Sequence, residues 1–359
     1  MISGAGKTVL ILGVQVPFTR GGAEILIDGL IRELKNREFL VDLVQLPFSP
    51  LPKTSLVQEM ALWRSLRLES FGGREVDLVI PTKFPSYLAP HKKKSLWLVH
   101  QLRQLYELYD SRFSDFETSI EDESIREMVF QADRVGLSEC QARFTIARNV
   151  SQRLDRYFRI DSQALLPPPP LEGKYRSGTK GEYILSVGRI CSIKRVDLMI
   201  RALAHVSRRL KLKIVGTADE PAIGNYLRSE VEKHHLADRV EFLGRVSEES
   251  LLELFADCFA VYYAPHDEDY GFVSIEARLS GKPVVTAQDS GTVLDFIAHE
   301  ENGLVALPNE TSIAAAFNRL LEDEVLYERV APYGNAADKR NSYASWGTII
   351  EQLTKPLFA

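Results

Sequence analysis

Residues 166–171 read LPPPPL. Four consecutive prolines hold φ near about −65° and lack N–H donors, so neither a helix nor a central strand can run through them. They form a stiff, extended connector, and the segments on either side of it show the same pattern. Before it, TVLILGVQV (8–16) reads as a buried strand, and AEILIDGLIRELKNR (23–37) places Ile25, Leu26, Leu30 and Leu34 at helical spacing. LVDLVQLP (40–47), VDLVIPT (76–82) and SLWLVHQ (95–101) read as further strands. After the prolines the alternation restarts, with strands at 183–189, 211–217, 240–245, 260–265 and 283–288. Helices are predicted at 196–208, 224–235, 247–257 and 272–280. Continuous apolar strands separated by amphipathic helices imply parallel sheets covered on both faces. The expected fold class is therefore α/β, with two Rossmann-like domains at 1–168 and 169–335. Helices at 311–324 and about 326–352 follow, and 336–359 is expected to pack back on the first domain. The aromatic and acidic stretch 103–123 fits neither template.

Composition narrows the function classes. The chain has 359 residues, 45% of them hydrophobic and 26% charged, with formal net charge −5. Residues 1–168 hold 22 Lys and Arg against 21 Asp and Glu, and 169–359 hold 22 against 28. Neither half is strongly basic, which argues against nucleic acid as a partner. Cys140, Cys191 and Cys258 form no metal-like cluster and no even framework, as in a reducing compartment. There is no apolar run of membrane-spanning length and no signal-like apolar core at the start, so the expected location is the cytoplasm. HKKK (91–94) reads as a solvated turn, or as a basic patch giving weak peripheral contact with an anionic membrane or lipid-linked acceptor.

Open α/β sheets bind ligands outside the carboxyl ends of their strands, so the motifs at those ends carry the functional reading. MISGAGKT (1–8) lacks the first glycine and the preceding strand of a phosphate loop, and no G-x-G-x-x-G follows the first strand. FTRGGAE (18–24) does follow that strand. Gly21 and Gly22 there either make a simple turn or let the backbone pass close to a ligand at a helix N-terminus. In SVGRICSIKRVDLMI (186–200), Arg189 and Lys194 stand at a strand end. They are either solvated cations or a pair that neutralises a diphosphate. HDEDYGFVSIEARLSGKPVV (266–285) sets Glu268 before a glycine and Glu276 two helical turns later. The amides of Gly271, Phe272 and Val273 are expected to face the strand ends with the positive end of the helix dipole, where phosphate binds. Glu276 can then accept the two hydroxyls of a ribose, and Glu268 faces the group beyond the diphosphate.

These residues together resemble family 4 of the retaining glycosyltransferases: Glu268 and Glu276 with seven residues between them, GGAE at 21–24, Arg189 with Lys194 five residues on, and EDYGFVSIEA followed by SGKPVV. The resemblance covers nearly the whole chain and is most specific over 183–306. It implies the GT-B fold, with two Rossmann-like domains facing a central cleft, the first binding the acceptor and the second the nucleotide-sugar donor. It implies Arg189 and Lys194 on the donor diphosphate, Glu276 on the ribose, Glu268 near the sugar, and Gly21 and Gly22 approaching the phosphates. His100, otherwise a structural strand-end histidine, resembles the family residue that bonds the sugar. Two departures stand out. SGTVLD (290–295) replaces two glycines and a glutamate, and ICSI replaces a stretch that often holds proline and an acid.

The expected activity is a metal-independent, retaining transfer of a hexose from a nucleotide-diphosphate sugar to the hydroxyl of a saccharide or lipid-linked saccharide, as in polysaccharide biosynthesis. No cofactor is expected. Neither Glu268 nor Glu276 is placed as the general base of an inverting transfer, although Asp110 or Asp115 in the unassigned stretch could reach an acceptor. A nucleotide-sugar epimerase and an inactive sugar-binding scaffold are the alternatives. A phosphorylase lacks a motif for its pyridoxal lysine.

Overall fold

The computed structural model describes residues 4–207, 210–331 and 343–358. Residues 1–3 of MISGAGKT and 332–342 of the expected last helix lie outside them. The chain divides into two compact units, Met1–Pro168 with Tyr343–Ala359, and Pro169–Ser342.

The first unit runs β1 (Thr8–Gln15), α1 (Gly22–Lys35), β2 (Leu40–Pro47), α2 (Ser55–Ser65), the hairpin β3 (Ser70–Phe71) and β4 (Arg74–Glu75), β5 (Leu78–Pro81), β6 (Ser95–Leu98), α3 (Ile120–Ser138), β7 (Ala142–Thr145), α4 (Arg148–Phe158) and β8 (Gln163–Ala164). Parallel pairing gives the orders β2-β1-β5 and β6-β7-β8. Parallel bridges from Val79 to Lys94 and from Lys83 to His100 join the two series. The strand sequence therefore reverses between β1 and β5, and a ligand crevice in an open α/β sheet sits at such a reversal. On α1 the buried stripe is Leu26, Ile27, Leu30 and Leu34. Ile25, read from its spacing as part of that stripe, is 37% exposed on the solvent side.

The second unit runs β9 (Tyr183–Val187), α5 (Val196–Leu203), β10 (Lys211–Val215), α6 (Pro221–Lys233), β11 (Val240–Gly244), α7 (Glu248–Asp257), β12 (Ala260–Tyr262), α8 (Phe272–Leu279), β13 (Val284–Ala287), α9 (Val293–Phe296), β14 (Leu304–Ala306), α10 (Glu310–Glu322) and α11 (Glu324–Val330). All its strands pair in parallel, in the order β11-β10-β9-β12-β13-β14. This is the dinucleotide-fold order, and its switch point lies between β9 and β12. Caps fix the helix starts: the side chains of Ser247 and Asn309 accept the amides of Ser250 and Ser312.

The last helix, α12 (Trp346–Thr354), belongs to the first unit. Trp346 meets the buried Trp97 of β6 edge-on at 6.1 Å. Gly29 of α1 leaves it room, since a Cβ there would lie 2.7 Å from the Trp346 ring. Residues 343–345 are not helical, so 326–352 is not the one unbroken helix the pattern suggested.

Two stretches differ from their sequence reading. In HKKK, Lys94 is fully buried. Its ammonium donates to the Tyr87 carbonyl at 2.9 Å and pairs with Glu139 at 3.0 Å. His91 bonds the carbonyls of Lys93 and Val76, which leaves Lys92 as the exposed residue of the four. The stretch is therefore not a patch of four surface charges. The unassigned 103–123 region is a series of turns leading into α3. Tyr106 stacks on Phe130 with centroids 4.4 Å apart and donates to the buried Asp133 at 2.5 Å. Asp110 and Asp115 lie exposed there, bonded to Thr118 and Gln104.

Candidate active site

In the second unit, β9 ends at Val187 and the chain turns at Gly188, whose φ of 139° suits glycine. Arg189 follows. Lys194 closes a short 3₁₀ turn (Ser192–Lys194) ahead of α5. Gly188, Arg189, Lys194 and Tyr263 line one pocket at the switch point. Both cations are partnered. Arg189 pairs with Asp219, past the end of β10, at 2.6 Å. Lys194 pairs with Glu268 and lies 3.3 Å from the Tyr263 hydroxyl. Burial opposes the Lys194 charge, but the Glu268 carboxylate and Tyr263 override it and hold the ammonium above its ordinary pKa. The structure thus brings Lys194 and Glu268 together directly.

The helix that carries the second glutamate begins at Gly271, with φ 94°. A Cβ there would meet Val293 at 2.9 Å, so the position demands glycine on both counts. The first-turn amides of a helix have no intrahelical acceptor, which leaves those of Phe272 and Val273 as candidate phosphate donors. Glu276 is the fifth residue of α8 and is buried. Burial pushes its carboxyl up to about 7, against the stabilising hydroxyl of Tyr175, which donates to Oε1 at 2.9 Å.

Sequence reasoning missed the group that holds these pieces in register. Arg195 sits in the left-handed region at φ 51° and is buried. Its guanidinium donates to the carbonyls of Ala264 and Pro265 at 2.8 and 2.9 Å, and it grips Asp289 bidentately at 2.7 and 2.8 Å. Burial works against the Asp289 charge, and Arg195 outweighs it, leaving that carboxyl below its usual range. From Asp289 onward the departed stretch SGT zips to the Glu268 loop. Asp267 N–H donates to the Asp289 carbonyl at 2.7 Å, and Thr292 N–H to the Glu268 carbonyl at 3.0 Å. Gly291, at φ 60°, packs so tightly that a Cβ would fall 2.6 Å from the Glu268 backbone. The loop without the paired glycines is thus the cradle that fixes Glu268. Asp267 and Asp269 take part through their backbones. The signal for Arg195 was its place directly after Lys194, where a charged residue reads as solvated unless its backbone conformation is known.

The first unit gathers its own cluster at the β1–β5 reversal. Gly21 caps α1 with an extended backbone (φ −140°), open to any residue. Its N–H donates to Glu24 at 2.7 Å. The other oxygen of Glu24 pairs with Lys83, past the end of β5, at 3.0 Å. Lys83 bridges His100, whose Nδ1 lies 2.7 Å from the Gln101 carbonyl. Gly22 opens the helix. Glu24 and Lys83 thus stand beside the glycines and histidine that the sequence singled out. Among the described residues no group of three His, Cys, Asp or Glu could hold a metal ion, and no helix is long and apolar enough to cross a membrane.

Comparison with known proteins agrees with this geometry. Residues 170–337 match the model of glycosyl transferases group 1. An uncharacterized glycosyltransferase of Methanocaldococcus jannaschii is 31% identical over 172 residues, covering 47% of this chain and 43% of that one. The chain thus aligns with less than half the length of this curated relative. Over 98% of the chain, the fold matches 99% of sucrose-phosphate synthase from Thermosynechococcus elongatus, with TM-score 0.80 and 18% identity. It also matches 99% of Anabaena HepE, solved with UDP and glucose, with TM-score 0.72 and 17% identity. The chain has the GT-B fold, and residues 170–337, most of its second unit, resemble glycosyl transferases group 1.

Proposed function

We propose that the chain transfers a hexose from a nucleotide-diphosphate sugar to a hydroxyl of a saccharide or lipid-linked saccharide, with retention of configuration and without a metal. The observation that carries this reading is the pocket at the switch point between β9 and β12, lined by Arg189, Lys194 and Tyr263, with Glu268 paired to Lys194 and the N-cap glycine of α8 packed beside Tyr263. Two cations and a helix dipole are suited to the charge that develops as a diphosphate leaves. In the proposed step the bond from the anomeric carbon to the diphosphate oxygen breaks, and the acceptor oxygen bonds that carbon from the same face. The acceptor proton passes to the departing diphosphate oxygen. Glu276 holds the ribose, and Gly271, Phe272 and Val273 hold phosphate through the backbone. His100 and the Gly21–Gly22 pair are the first unit's proposed ligand contacts. Arg189 and Lys194 supply the positive charge that a divalent ion supplies elsewhere, so none is required.

With no saccharide acceptor present, water is expected to take its place slowly. Incubation with a panel of nucleotide-hexoses, beginning with UDP-glucose, is expected to release nucleoside diphosphate from one of them above the buffer rate. The same donor is expected to raise the unfolding temperature by mass action. Absence of both effects across the panel rejects the proposal.

A further inference from the structure

The Glu276 carboxylate is prepared by a residue far away in sequence. Tyr175 lies just beyond the proline connector, after the turn at 171–174. Its ring meets Phe255 of α7 edge-on at 6.5 Å, and its hydroxyl donates to Oε1 of Glu276. Among the described residues this is the only hydrogen bond to that carboxylate. Among the described residues Oε2 has no donor, and it is not one of the sealed, unsatisfied polar atoms, so it reaches solvent.

A buried carboxylate with one oxygen committed and the other open has a defined orientation. It can accept from one ribose hydroxyl through the open oxygen, at an angle set by the committed one. Without Tyr175 the carboxylate rotates about its terminal torsion, which is broad and soft for glutamate. We propose that Tyr175 is a specificity-determining, positioning residue: by holding Oε1 of Glu276 it aims Oε2 at a ribose hydroxyl and makes the site select ribonucleotides over deoxyribonucleotides. This rests on the reading of Glu276 as the ribose contact. A site built to bond a hydroxyl discriminates strongly against the analogue that lacks it.

The test is calorimetric titration of the full chain with the best-bound common ribonucleoside diphosphate and with its 2′-deoxy and 3′-deoxy analogues. Wild type is expected to prefer the ribo form over one deoxy form by about tenfold or more, the loss of one bond to a charged acceptor. Tyr175→Phe keeps the ring against Phe255, and it is expected to bring that ratio to within about threefold. Circular dichroism and melting temperature check its fold. A Tyr175→Phe variant that keeps the wild-type ratio overturns the role of Tyr175 while leaving the ribose reading intact. Wild type that binds ribo and deoxy forms equally, or binds no diphosphate, overturns the ribose reading, and the inference with it. Glu276→Gln serves as the reference. If Tyr175 acts through the carboxylate, adding Tyr175→Phe to Glu276→Gln changes the ratio no further, and an independent further drop rejects that route.

Discussion

Replacing Lys194 by alanine is expected to lower turnover by about 100-fold or more, the usual loss when one oriented charge stabiliser is removed from a site of developing negative charge. The geometry makes the loss specific. Lys194 is the less exposed of the pocket's two cations, and its ammonium touches both Glu268 and the Tyr263 hydroxyl. Alanine removes the positive charge and with it the ammonium that pairs with Glu268. Lys194→Arg keeps the charge but not the compact ammonium, and it is expected to fall between the two. The measurement is the initial rate of nucleoside diphosphate release at saturating donor, with circular dichroism to show that the variants are folded. A folded alanine variant within about threefold of wild type removes Lys194 from the proposed mechanism.

The second large effect is on stability. Arg195→Ala is expected to destabilise the protein by about 3–5 kcal/mol, the cost of removing one partner of a buried ion pair. The lower end is expected, because the Asp289 side chain is 32% exposed and water relieves part of the cost. Alanine also inherits a left-handed backbone position (φ 51°) that disfavours any Cβ. Arg195→Gly should therefore be about 1 kcal/mol less damaging than Arg195→Ala, although both lose the guanidinium. Urea unfolding midpoints of the two variants, with Asp289→Ala in a double-mutant cycle, separate the pair from the backbone. An alanine variant within 1 kcal/mol of wild type, or a cycle with no coupling, contradicts the clamp.

The fold was largely legible because burial on both faces of a parallel sheet writes continuous apolar strands, and the prolines mark where one series stops. What escaped had little pattern to read. β14 is three residues long, and β7 (ARFT) carries two polar residues in four. α4 has only Val150 and Leu154 as buried apolar positions, with Arg153 buried beside them. In the candidate site, residue type and spacing single out Lys194, Glu268, Gly271 and Glu276, and their roles are the ones proposed above. It was illegible where a residue acts through tertiary contact. Tyr175 and Glu276 are 101 positions apart and Arg195 and Asp289 are 94 apart, with no local spacing to betray either pair. HKKK misled for the same reason, since Glu139, 45 positions away, turns Lys94 into a core residue.

The measurement that bears most directly on the central claim is proton NMR of the first product formed from an α-linked nucleotide-sugar in excess chelator. Retention assisted by the leaving diphosphate, with Arg189 and Lys194 neutralising it, predicts an α-anomeric coupling at the newly glycosylated carbon and an undiminished rate. A β-anomeric coupling, or activity lost to chelator and restored by magnesium or manganese, contradicts it.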